Sequence, residues 1–381
     1  MTRSISRPRL ALCLLLALLP PTTVAAGGPV PQAQAAAYLQ QLWRSTGTPA
    51  ISAAVSSKGK IVFSEGVGYA DLDNLVSATD STVYNIGSVS KANTAVAVMQ
   101  LFEQGKISLD DPIQKYVPTF PDKGSPITIK HLMTHTSGIR HYRPNDFPDS
   151  QDNENMRPVA SLEEGIKIFK DDPLLFKPGE YFFYSSYAVN LLQGVIEKAG
   201  GLPFEDYMRQ SVWIPAGMLS TAFDVPERTV PHRARSYRIE KGRTLNYYYN
   251  DLTFKFASGG MISTASDLVR LGAALNHGRL LKPETVTLMY TPQPGSIMRY
   301  QVTGPPDKTS FQQGLLWQIR KDAAGRPFVY HCGSVKGFNA CLLNSTQEDL
   351  VVAIVTNSWE AGGYREVEEL ADFFRAPEGG R

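Results

Sequence analysis

A serine and a lysine lie three residues apart in the stretch Tyr84–Met99, YNIGSVSKANTAVAVM. Residues at positions i and i+3 of a helix share a face, so Lys91 would lie beside the hydroxyl of Ser88. The partial positive charge and unpaired N–H groups at a helix start favour a serine alkoxide. A lysine that is desolvated by the apolar residues behind it can lose its proton and act as a base. The stretch therefore predicts a nucleophilic Ser88 with Lys91 as its base.

The Ser-x-x-Lys spacing alone is weak support, because a chain of this length contains about one or two such matches by chance. Ser57 and Lys60 show the same spacing, but they fall on a predicted hairpin turn with no helix behind them. The assignment of Ser88 therefore depends on further motifs elsewhere in the chain.

Three other kinds of segment carry groups that could serve the same site. KPGEYFFYSS ends just before a predicted helix, and the phenol of Tyr184 could act there as a second base. VYHCGSVKGF places His331, Cys332 and Gly333 on a strand beside a tight turn, where glycine lets another segment approach closely. TIKHLMTHTSGI and FASGGMISTASDL are glycine-marked turns with small polar residues.

Strand patterns occupy both ends of the chain, and helical patterns occupy its middle. Strands are expected within residues 50–71, 328–344 and 350–357, and terminal helices within residues 35–45 and 365–375. We predict an α/β protein of the α+β type, in which the two chain ends (about residues 30–80 and 311–381) form one sheet flanked by the terminal helices. A helical region of about residues 81–310 is inserted. Its predicted helices are Val89–Gln104, Ala188–Lys198, Phe204–Val212 and Ala265–Leu275.

In this order, the motifs closely resemble the serine β-lactamase and penicillin-binding-protein superfamily in its class C-like branch, which also holds esterases and D-amino-acid peptidases. The segments LFEQGKISLDDPIQKYVPTFP, HTSGIRHY and DPLLFKPGEYFFYSSYAVNLL carry the resemblance most specifically, and it extends roughly from Ala50 to the C-terminus. The resemblance implies a β-lactamase/transpeptidase-like fold with an antiparallel sheet, in a single domain over residues 27–381.

The resemblance also implies a role for each motif. The family's Ser-x-x-Lys falls on Ser88 and Lys91, its Tyr-x-Asn on Tyr184–Ser186, and its Lys-Thr-Gly or His-x-Gly on His331–Gly333. Ser88 would be the nucleophile, and Lys91 and Tyr184 would share its proton. The backbone N–H groups of Ser88 and Ser334 would form the oxyanion hole. His331 would polarise the tyrosine hydroxyl or the substrate.

Two positions depart from the family pattern. Ser186 replaces an asparagine that helps to orient the lysine and the substrate amide, and Cys332 replaces a hydroxyl that grips the carboxylate of β-lactams. We therefore expect an exported serine hydrolase that cleaves an ester or a peptide-like amide through an acyl-enzyme on Ser88, with poor activity on β-lactams. A true β-lactamase or D-amino-acid peptidase is the alternative, and a non-catalytic binding module on the same fold is the second.

Several of these residues also have simpler interpretations. Ser88 could be only a helix cap. His131 and His135 have the i, i+4 spacing of a helical zinc pair, but the glutamate of His-Glu-x-x-His is missing, so a structural role is expected. A Ser-His-Asp triad that uses His331 would leave both predicted bases without a role. No metal and no cofactor are expected, and the predicted partner is a small-molecule or peptide-like substrate.

The N-terminus has the pattern of a secretory signal peptide. Arg3, Arg7 and Arg9 precede the apolar run Leu10–Leu19, and small residues follow up to a cleavage site expected after Ala26. The apolar run is too short to span a membrane as a mature helix, and an uncleaved anchor is the alternative. Removal of residues 1–26 changes the formal charge of the chain from +2 to −1, which gives no support to a nucleic-acid or anionic-membrane role. A periplasmic or secreted protein of unknown oligomeric state is expected.

Two cysteines, Cys332 and Cys341, remain after the leader. Their number and spacing fit neither a disulfide framework nor a zinc site, and free thiols are expected. The alternative is a disulfide across a hairpin that turns at residues 336–337, although directly opposed Cβ atoms, about 4.5–5.5 Å apart, are slightly too distant. Residues 140–158 and 291–310 are predicted to be irregular, as functional loops or as solvated excursions.

Overall fold

An eight-stranded antiparallel sheet is the centre of the computed structural model, which describes residues 30–144, 146–147, 155–248 and 250–375. Both ends of the chain contribute to this sheet, as predicted, and the predicted signal peptide lies outside the described residues. In their order across the sheet, the strands are β11 (Gln312–Gln313), β12 (Gln318–Lys321), β13 (Pro327–Val335), β14 (Phe338–Ser345), β15 (Leu350–Thr356), β1 (Ala50–Ser57), β2 (Lys60–Asp71) and β3 (Val76–Ser77).

The helices complete an α+β fold, with two of them on one face of the sheet and most of the others in the inserted region. They are α1 (Pro31–Thr46), α2 (Ser90–Glu103), α3 (Ile129–Met133), α4 (Leu162–Ile166), α5 (Ser186–Gly200), α6 (Phe204–Tyr207), α7 (Ile214–Ala216), α8 (Phe256–Gly259), α9 (Ala265–Asn276), α10 (Pro283–Met289) and α11 (Tyr364–Asp372). The predicted helix Phe204–Val212 is present, and within it α6 continues as a π-helical stretch, Met208–Trp213, before α7. None of the helices in these described ranges is long and apolar enough to cross a membrane.

Short strands outside the main sheet join parts of the inserted region. They are β4 (Tyr84–Asn85), β8 (Met261–Ser263) and β5 (Ala222–Phe223) in one small sheet, and the two hairpins β6 (Tyr237–Glu240) with β7 (Arg243–Asn246) and β9 (Met298–Arg299) with β10 (Asp307–Lys308). The second hairpin lies inside the segment 291–310 that the sequence predicts to be irregular.

The central strands are buried on both faces, which explains their continuous apolar sequence. One face of β1 and β15 packs against α1 and α11, the other face packs against α9, and the buried helix α2 contacts β13. On α9, a Cβ at Gly272 would lie 2.5 Å from a Val351 methyl group, so this glycine allows the close approach of helix and sheet. The two hydrophobic layers fix β13 and α2 side by side, where the predicted site residues lie.

The hairpin of β13 and β14 turns at Lys336 and Gly337, and this turn places Cys332 directly opposite Cys341. The two residues form a disulfide, so the expectation of two free thiols is wrong. Their Cα atoms are 4.0 Å apart, and they therefore belong to the closer of the two kinds of antiparallel pair, whose separation an average value overestimates. Both sulfur atoms lie on the α1 and α11 face of the sheet.

Candidate active site

Ser88 lies in a 3₁₀ turn, Gly87–Val89, that leads directly into α2. The turn is pressed against β13. A Cβ on Gly333 would be 2.2 Å from the Ile86 carbonyl oxygen and 2.4 Å from the Ser88 nitrogen, and a Cβ on Gly87 would be 2.8 Å from the Ser334 nitrogen. Glycine at both positions therefore brings the backbone nitrogens of Ser88 and Ser334 close together.

The direction of the Ser334 N–H group follows from the register of β13. Residues of an antiparallel strand alternate between those that hydrogen-bond to the partner strand and those that do not. The close pair Cys332–Cys341 is of the kind without hydrogen bonds, and Ser334, two residues further on, is of the same kind. Its N–H group therefore points away from β14, towards the turn that carries Ser88. The two N–H groups predicted as an oxyanion hole thus lie side by side.

The hydroxyl oxygen of Ser88 has two polar side-chain neighbours. Lys91 Nζ lies 3.0 Å from Ser88 Oγ, and Tyr184, just before α5, donates a hydrogen bond of 2.7 Å to the same oxygen. Lys91 is fully buried and also donates to Ser186 Oγ at 3.0 Å and to the Ser258 carbonyl oxygen at 2.6 Å. Because all three contacts hold Nζ, the amine is fixed beside the serine.

Burial strongly lowers the pKa of Lys91, and the positive charge of Lys255 lowers it further. Among the residues that the structure describes, no carboxylate forms an ion pair with Lys91 that would oppose this effect. Both influences favour the neutral amine, which has the lone pair that a base needs. The surroundings of Lys91 are therefore those of a general base.

The pKa of Tyr184 is shifted in the opposite direction from that of Lys91. Burial raises the pKa of the phenol above its usual value, which keeps the proton on the oxygen. The phenol therefore donates to Ser88 Oγ, and the proton of Ser88 is directed towards Lys91. This arrangement differs from the expectation that Lys91 and Tyr184 share the proton of Ser88, because the phenol keeps its own proton and donates it to Ser88 Oγ.

His331 is buried on β13, and its Nδ1 lies 2.7 Å from the Cys332 carbonyl oxygen. Since a carbonyl oxygen only accepts, Nδ1 carries the proton and Nε2 presents a lone pair. Burial, with a contribution from Lys91, lowers the pKa of His331 to about 3, so the ring is neutral. The imidazole lies 6.4 Å from the Tyr184 ring, and no described hydrogen bond joins it to Ser88. The geometry therefore gives no support to a triad.

Two further histidines surround Tyr184, with ring centroids 4.5 Å (His135) and 5.5 Å (His141) from it. The Nδ1 atom of each accepts a backbone N–H, at 3.3 Å from Ser185 and at 3.2 Å from Ser186. Burial lowers the pKa of His135 well below its usual value and that of His141 to about 3. Both rings therefore hold the segment that carries Tyr184 without adding charge.

Neither ring belongs to the site predicted from the sequence, although both lie within the segment HTSGIRHY. The predicted structural role fits His131, which forms a capping box with Thr128 at the start of α3. It fits His135 only in part, because that ring packs directly against Tyr184.

Lys255, just before α8, is a second buried cation that the sequence interpretation missed. It is 6% exposed, its ammonium lies 5.2 Å from the centre of the Tyr142 ring, and that ring stacks on His141. Its methylene stem borders Gly259, next to the Ser258 carbonyl that binds Lys91. A lysine directly before FASGGM was the only available signal, and it does not distinguish a buried cation from an exposed one.

Three further predictions concern the capping role of Ser88 and the two departures from the family pattern, Ser186 and Cys332. Ser88 is not a side-chain cap, because the residue that caps α2 is Val89 and no side chain supplies a capping bond. Ser186, although shorter than the asparagine it replaces, still reaches Lys91. Cys332 has no S–H group to offer a substrate, because its sulfur is bonded to Cys341 on the opposite face of the sheet.

The two long loops form part of the surroundings of the site. The hairpin β9–β10 of segment 291–310 lies alongside Phe182, whose backbone bonds to Met298 and Tyr300. The described part of segment 140–158 includes His141, next to Tyr184. Both loops therefore lie close to the predicted acyl-transfer groups.

A serine held between a neutral lysine and a protonated tyrosine, beside paired backbone N–H groups, defines a serine hydrolase of the acyl-transfer type. A family profile described as Beta-lactamase matches residues 35–375, and the chain belongs to that family. The human protein Serine beta-lactamase-like protein LACTB, mitochondrial, is 32% identical over 396 aligned residues, which cover 81% of this chain and 71% of that protein.

Solved structures show the same fold. The octameric penicillin-binding protein homologue from Pyrococcus abyssi superposes with a TM-score of 0.74 at 28% identity, over 90% of this chain and 76% of that chain. A D-stereospecific amidohydrolase from a Streptomyces species superposes with a TM-score of 0.73 at 22% identity, over 89% of this chain and 99% of that chain. The predicted fold and superfamily are confirmed by these comparisons.

Proposed function

We propose that this hydrolase cleaves an ester or a peptide-like amide through an acyl-enzyme on Ser88. The observation that carries the proposal is the position of Ser88 Oγ between Lys91 Nζ at 3.0 Å and the Tyr184 hydroxyl at 2.7 Å. Nucleophile and base lie within hydrogen-bonding distance, and two further acceptors, Ser186 Oγ and the Ser258 carbonyl oxygen, fix the base.

In acylation, Lys91 takes the proton of Ser88 while Oγ attacks the substrate carbonyl carbon. The carbonyl oxygen becomes an oxyanion, which the N–H groups of Ser88 and Ser334 stabilise. Tyr184 gives its proton to the departing oxygen or nitrogen, and the Lys91 ammonium restores that proton. Lys91 Nζ lies 4.8 Å from the centre of the tyrosine ring, and both groups contact Ser88 Oγ. Water then releases the acyl group by the same steps in reverse.

We also propose that the chain is exported and loses residues 1–26. The charged, apolar and small-residue pattern of the leader supports this. The disulfide between Cys332 and Cys341 supports it independently, because such bonds persist in oxidising compartments such as the periplasm. The mass of the mature protein tests the cleavage site, since removal of the leader leaves Gly27 at the N-terminus.

We expect p-nitrophenyl butyrate to be a better substrate than the β-lactam nitrocefin, by at least about tenfold in kcat/KM. The acyl-transfer groups serve both substrates, but the disulfide removes the group at position 332 that would bind the β-lactam carboxylate. A lost hydrogen bond to a charged group costs about 1.5–3 kcal/mol, which corresponds to a factor of roughly ten or more. A preference for nitrocefin would contradict the assignment and favour a true β-lactamase.

Lys255→Met should move the acid limb of the kcat/KM profile to higher pH. Lys91 acts as a base in its neutral form, so activity rises as pH increases through its pKa. Without the Lys255 charge that pKa is higher, so the variant is slower at low pH and approaches the wild type at high pH. The other titratable groups around Lys91 are the three buried histidines and Tyr184, and the histidines are held neutral.

The matched control for this experiment is Lys255→Arg, which keeps the positive charge and should keep the wild-type pH profile more closely. Lys336→Met, at the tip of the β13–β14 hairpin, removes a cation elsewhere and should leave the acid limb in place. An unchanged acid limb in Lys255→Met, with a uniform loss of rate at every pH, would show that Lys255 acts only through packing or substrate binding.

A further inference from the structure

A cavity of about 870 Å³ lies at the β11 edge of the main sheet. It is bounded by the hairpin β9–β10, by the edge strand β11 and by its neighbour β12. The volume is within the range of about 300–1,000 Å³ that is usual for small-molecule sites. Ser88, Lys91, Tyr184 and His331 do not line this cavity. It therefore lies outside the proposed acyl-transfer site.

Much of the cavity lining is apolar and has few backbone donors. The apolar and ring-bearing residues that line it are Tyr290, Pro292, Pro294, Ile297, Phe311, Ile319 and Pro327. The side chain of Ile297 is 62% exposed, so a molecule bound against it would remove apolar surface from water. Three of these residues are prolines, which have no backbone N–H group. This wall therefore suits an alkyl chain better than a peptide backbone.

The backbone at the β11 edge is already bonded within the chain. The Gln313 carbonyl oxygen accepts the Gln293 N–H at 2.8 Å, and the Phe311 carbonyl oxygen accepts the Thr309 hydroxyl at 2.7 Å. A peptide that added to the sheet as a further strand would have to displace these bonds. The edge therefore gives no support to a peptide as the occupant of the cavity.

Three cationic side chains, Lys308, Arg320 and Lys321, line the same cavity, and no acidic residue does. Within the described ranges, none of the three forms an ion pair with a carboxylate. Lys321 is two residues after Ile319 on β12, so both side chains lie on the same face of the sheet. Arg320 faces the other side, where it lies 4.7 Å from the centre of the Tyr364 ring. The cavity thus combines an apolar wall with positive charge that has no anionic partner among these residues.

We propose that this cavity is a binding site for an amphipathic carboxylate, that is, a free carboxylic acid with an unbranched alkyl chain. The alkyl chain packs against Ile297, Phe311 and Ile319, and the carboxylate pairs with Lys308 and Lys321. Charge complementarity selects an anion, and the proline-rich wall selects an alkyl chain.

This binding site gives a role to segment 291–310, which forms one side of the cavity, and it does not depend on the chemistry of Ser88. The Phe311 ring also packs against the ring of Phe182, at 5.6 Å between centroids. Since Phe182 is two residues before Tyr184, the bound acid lies next to the segment that carries the phenol.

Equilibrium dialysis of the purified protein against decanoate, below its micelle-forming concentration, tests the proposal. We expect one bound decanoate per chain, with a Kd at least about tenfold lower than that of butyrate, because the longer chain buries more apolar surface. Decyltrimethylammonium has the same chain and the opposite charge, and its Kd should be at least about tenfold higher than that of decanoate. Added salt should weaken the binding of decanoate. Treatment with a fluorophosphonate, which blocks a reactive Ser88, should leave it unchanged.

Ile297→Asp should raise the Kd for decanoate at least about tenfold, because it places a carboxylate on the apolar wall. Leu219→Asp, which changes an exposed leucine outside this cavity, is the control and should leave the Kd unchanged. Because both side chains are exposed, a change in Kd is not confused with a loss of the fold.

The double variant Lys308→Gln and Lys321→Gln should raise the Kd for decanoate roughly threefold or more, as expected for the loss of two exposed ion pairs. The double variant Lys60→Gln and Lys106→Gln removes the same charge from exposed positions outside the cavity and should leave the Kd unchanged.

Equal affinities for decanoate and decyltrimethylammonium, or a Kd that the Lys308 and Lys321 variant does not change, would overturn the proposal, because the cations would then have no role. Decanoate binding that the fluorophosphonate abolishes would place the acid at the catalytic serine and would also overturn it. Binding to phosphatidylglycerol vesicles without binding of free decanoate would identify a membrane contact in place of a cavity for a free acid. Absence of saturable decanoate binding would overturn the proposal and leave the hydrolase function standing.

Discussion

Ser88→Ala is expected to abolish ester hydrolysis and labelling by a fluorophosphonate probe, with the fold retained. Among the described residues, the side-chain hydrogen bonds of Ser88 Oγ are those with Lys91 and Tyr184, so the substitution removes the proposed nucleophile without removing a helix cap. Lys91→Ala and Tyr184→Phe should each reduce kcat/KM by at least about 100-fold, the lower scale for loss of a general acid or base. Hydrolysis rates, probe labelling and thermal unfolding of the purified variants measure these effects.

Ser57→Ala is the matched control, because Ser57 also precedes a lysine by three residues but lies at the end of β1 on the hairpin turn. It should keep wild-type activity and labelling. Substantial residual hydrolysis by Ser88→Ala would contradict the acyl-enzyme mechanism. If the probe labels the wild type but not Ser88→Ala, and the wild type shows no measurable hydrolysis, a binding module with a reactive serine is favoured.

Gly333→Ala should reduce kcat by at least about 100-fold, the lower scale for loss of one oxyanion-hole donor. The new Cβ would meet two backbone atoms, the Ile86 carbonyl oxygen at 2.2 Å and the Ser88 nitrogen at 2.4 Å. Backbone atoms cannot rotate away, so β13 and the serine turn must separate. The separation moves the Ser334 and Ser88 N–H groups apart, and the oxyanion then loses at least one of its donors.

Gly165→Ala on α4 is the control for this second substitution, because the nearest atom to its Cβ would be 3.5 Å away. It should change neither kcat nor the unfolding temperature substantially. Measuring kcat together with the unfolding temperature separates a displaced oxyanion hole from general destabilisation. A Gly333→Ala protein with wild-type kcat would show that these two N–H groups do not bind the oxyanion.

The individual strands of the sheet and the helical spacing of Ser88 and Lys91 were predictable because both depend on local patterns. Short apolar runs with turn residues between them predict β1, β2, β14 and β15, and the 336–337 turn alone gives the register of β13. The Ser-x-x-Lys spacing needs only helical geometry. For these features, the residues that determine the structure lie within about ten positions of one another.

The buried side chains that surround Lys91 and Tyr184 could not be predicted from local patterns. His135, His141 and Lys255 come from segments far from Ser88 in the sequence, and their burial depends on how the inserted region packs on α2 and α5. Nothing in the adjacent residues distinguishes these side chains from solvated ones. The prediction of free thiols failed for a different reason. The average separation of opposed residues does not describe the closer kind of antiparallel pair, to which Cys332 and Cys341 belong.

The pairing of β1 with β15 has a consequence for synthesis on the ribosome. Ile51 lies opposite Thr356, so about 300 residues must be made after β1 before its partner strand exists, and closing such a loop is entropically costly. Until then β1 is paired only with β2, and its other edge is open to association with other chains. The sheet, and with it the strand that carries Gly333 and Ser334, therefore closes only after nearly the whole chain has been released. A chain that ends before residue 350 lacks the central strand β15 and exposes two unpaired edges.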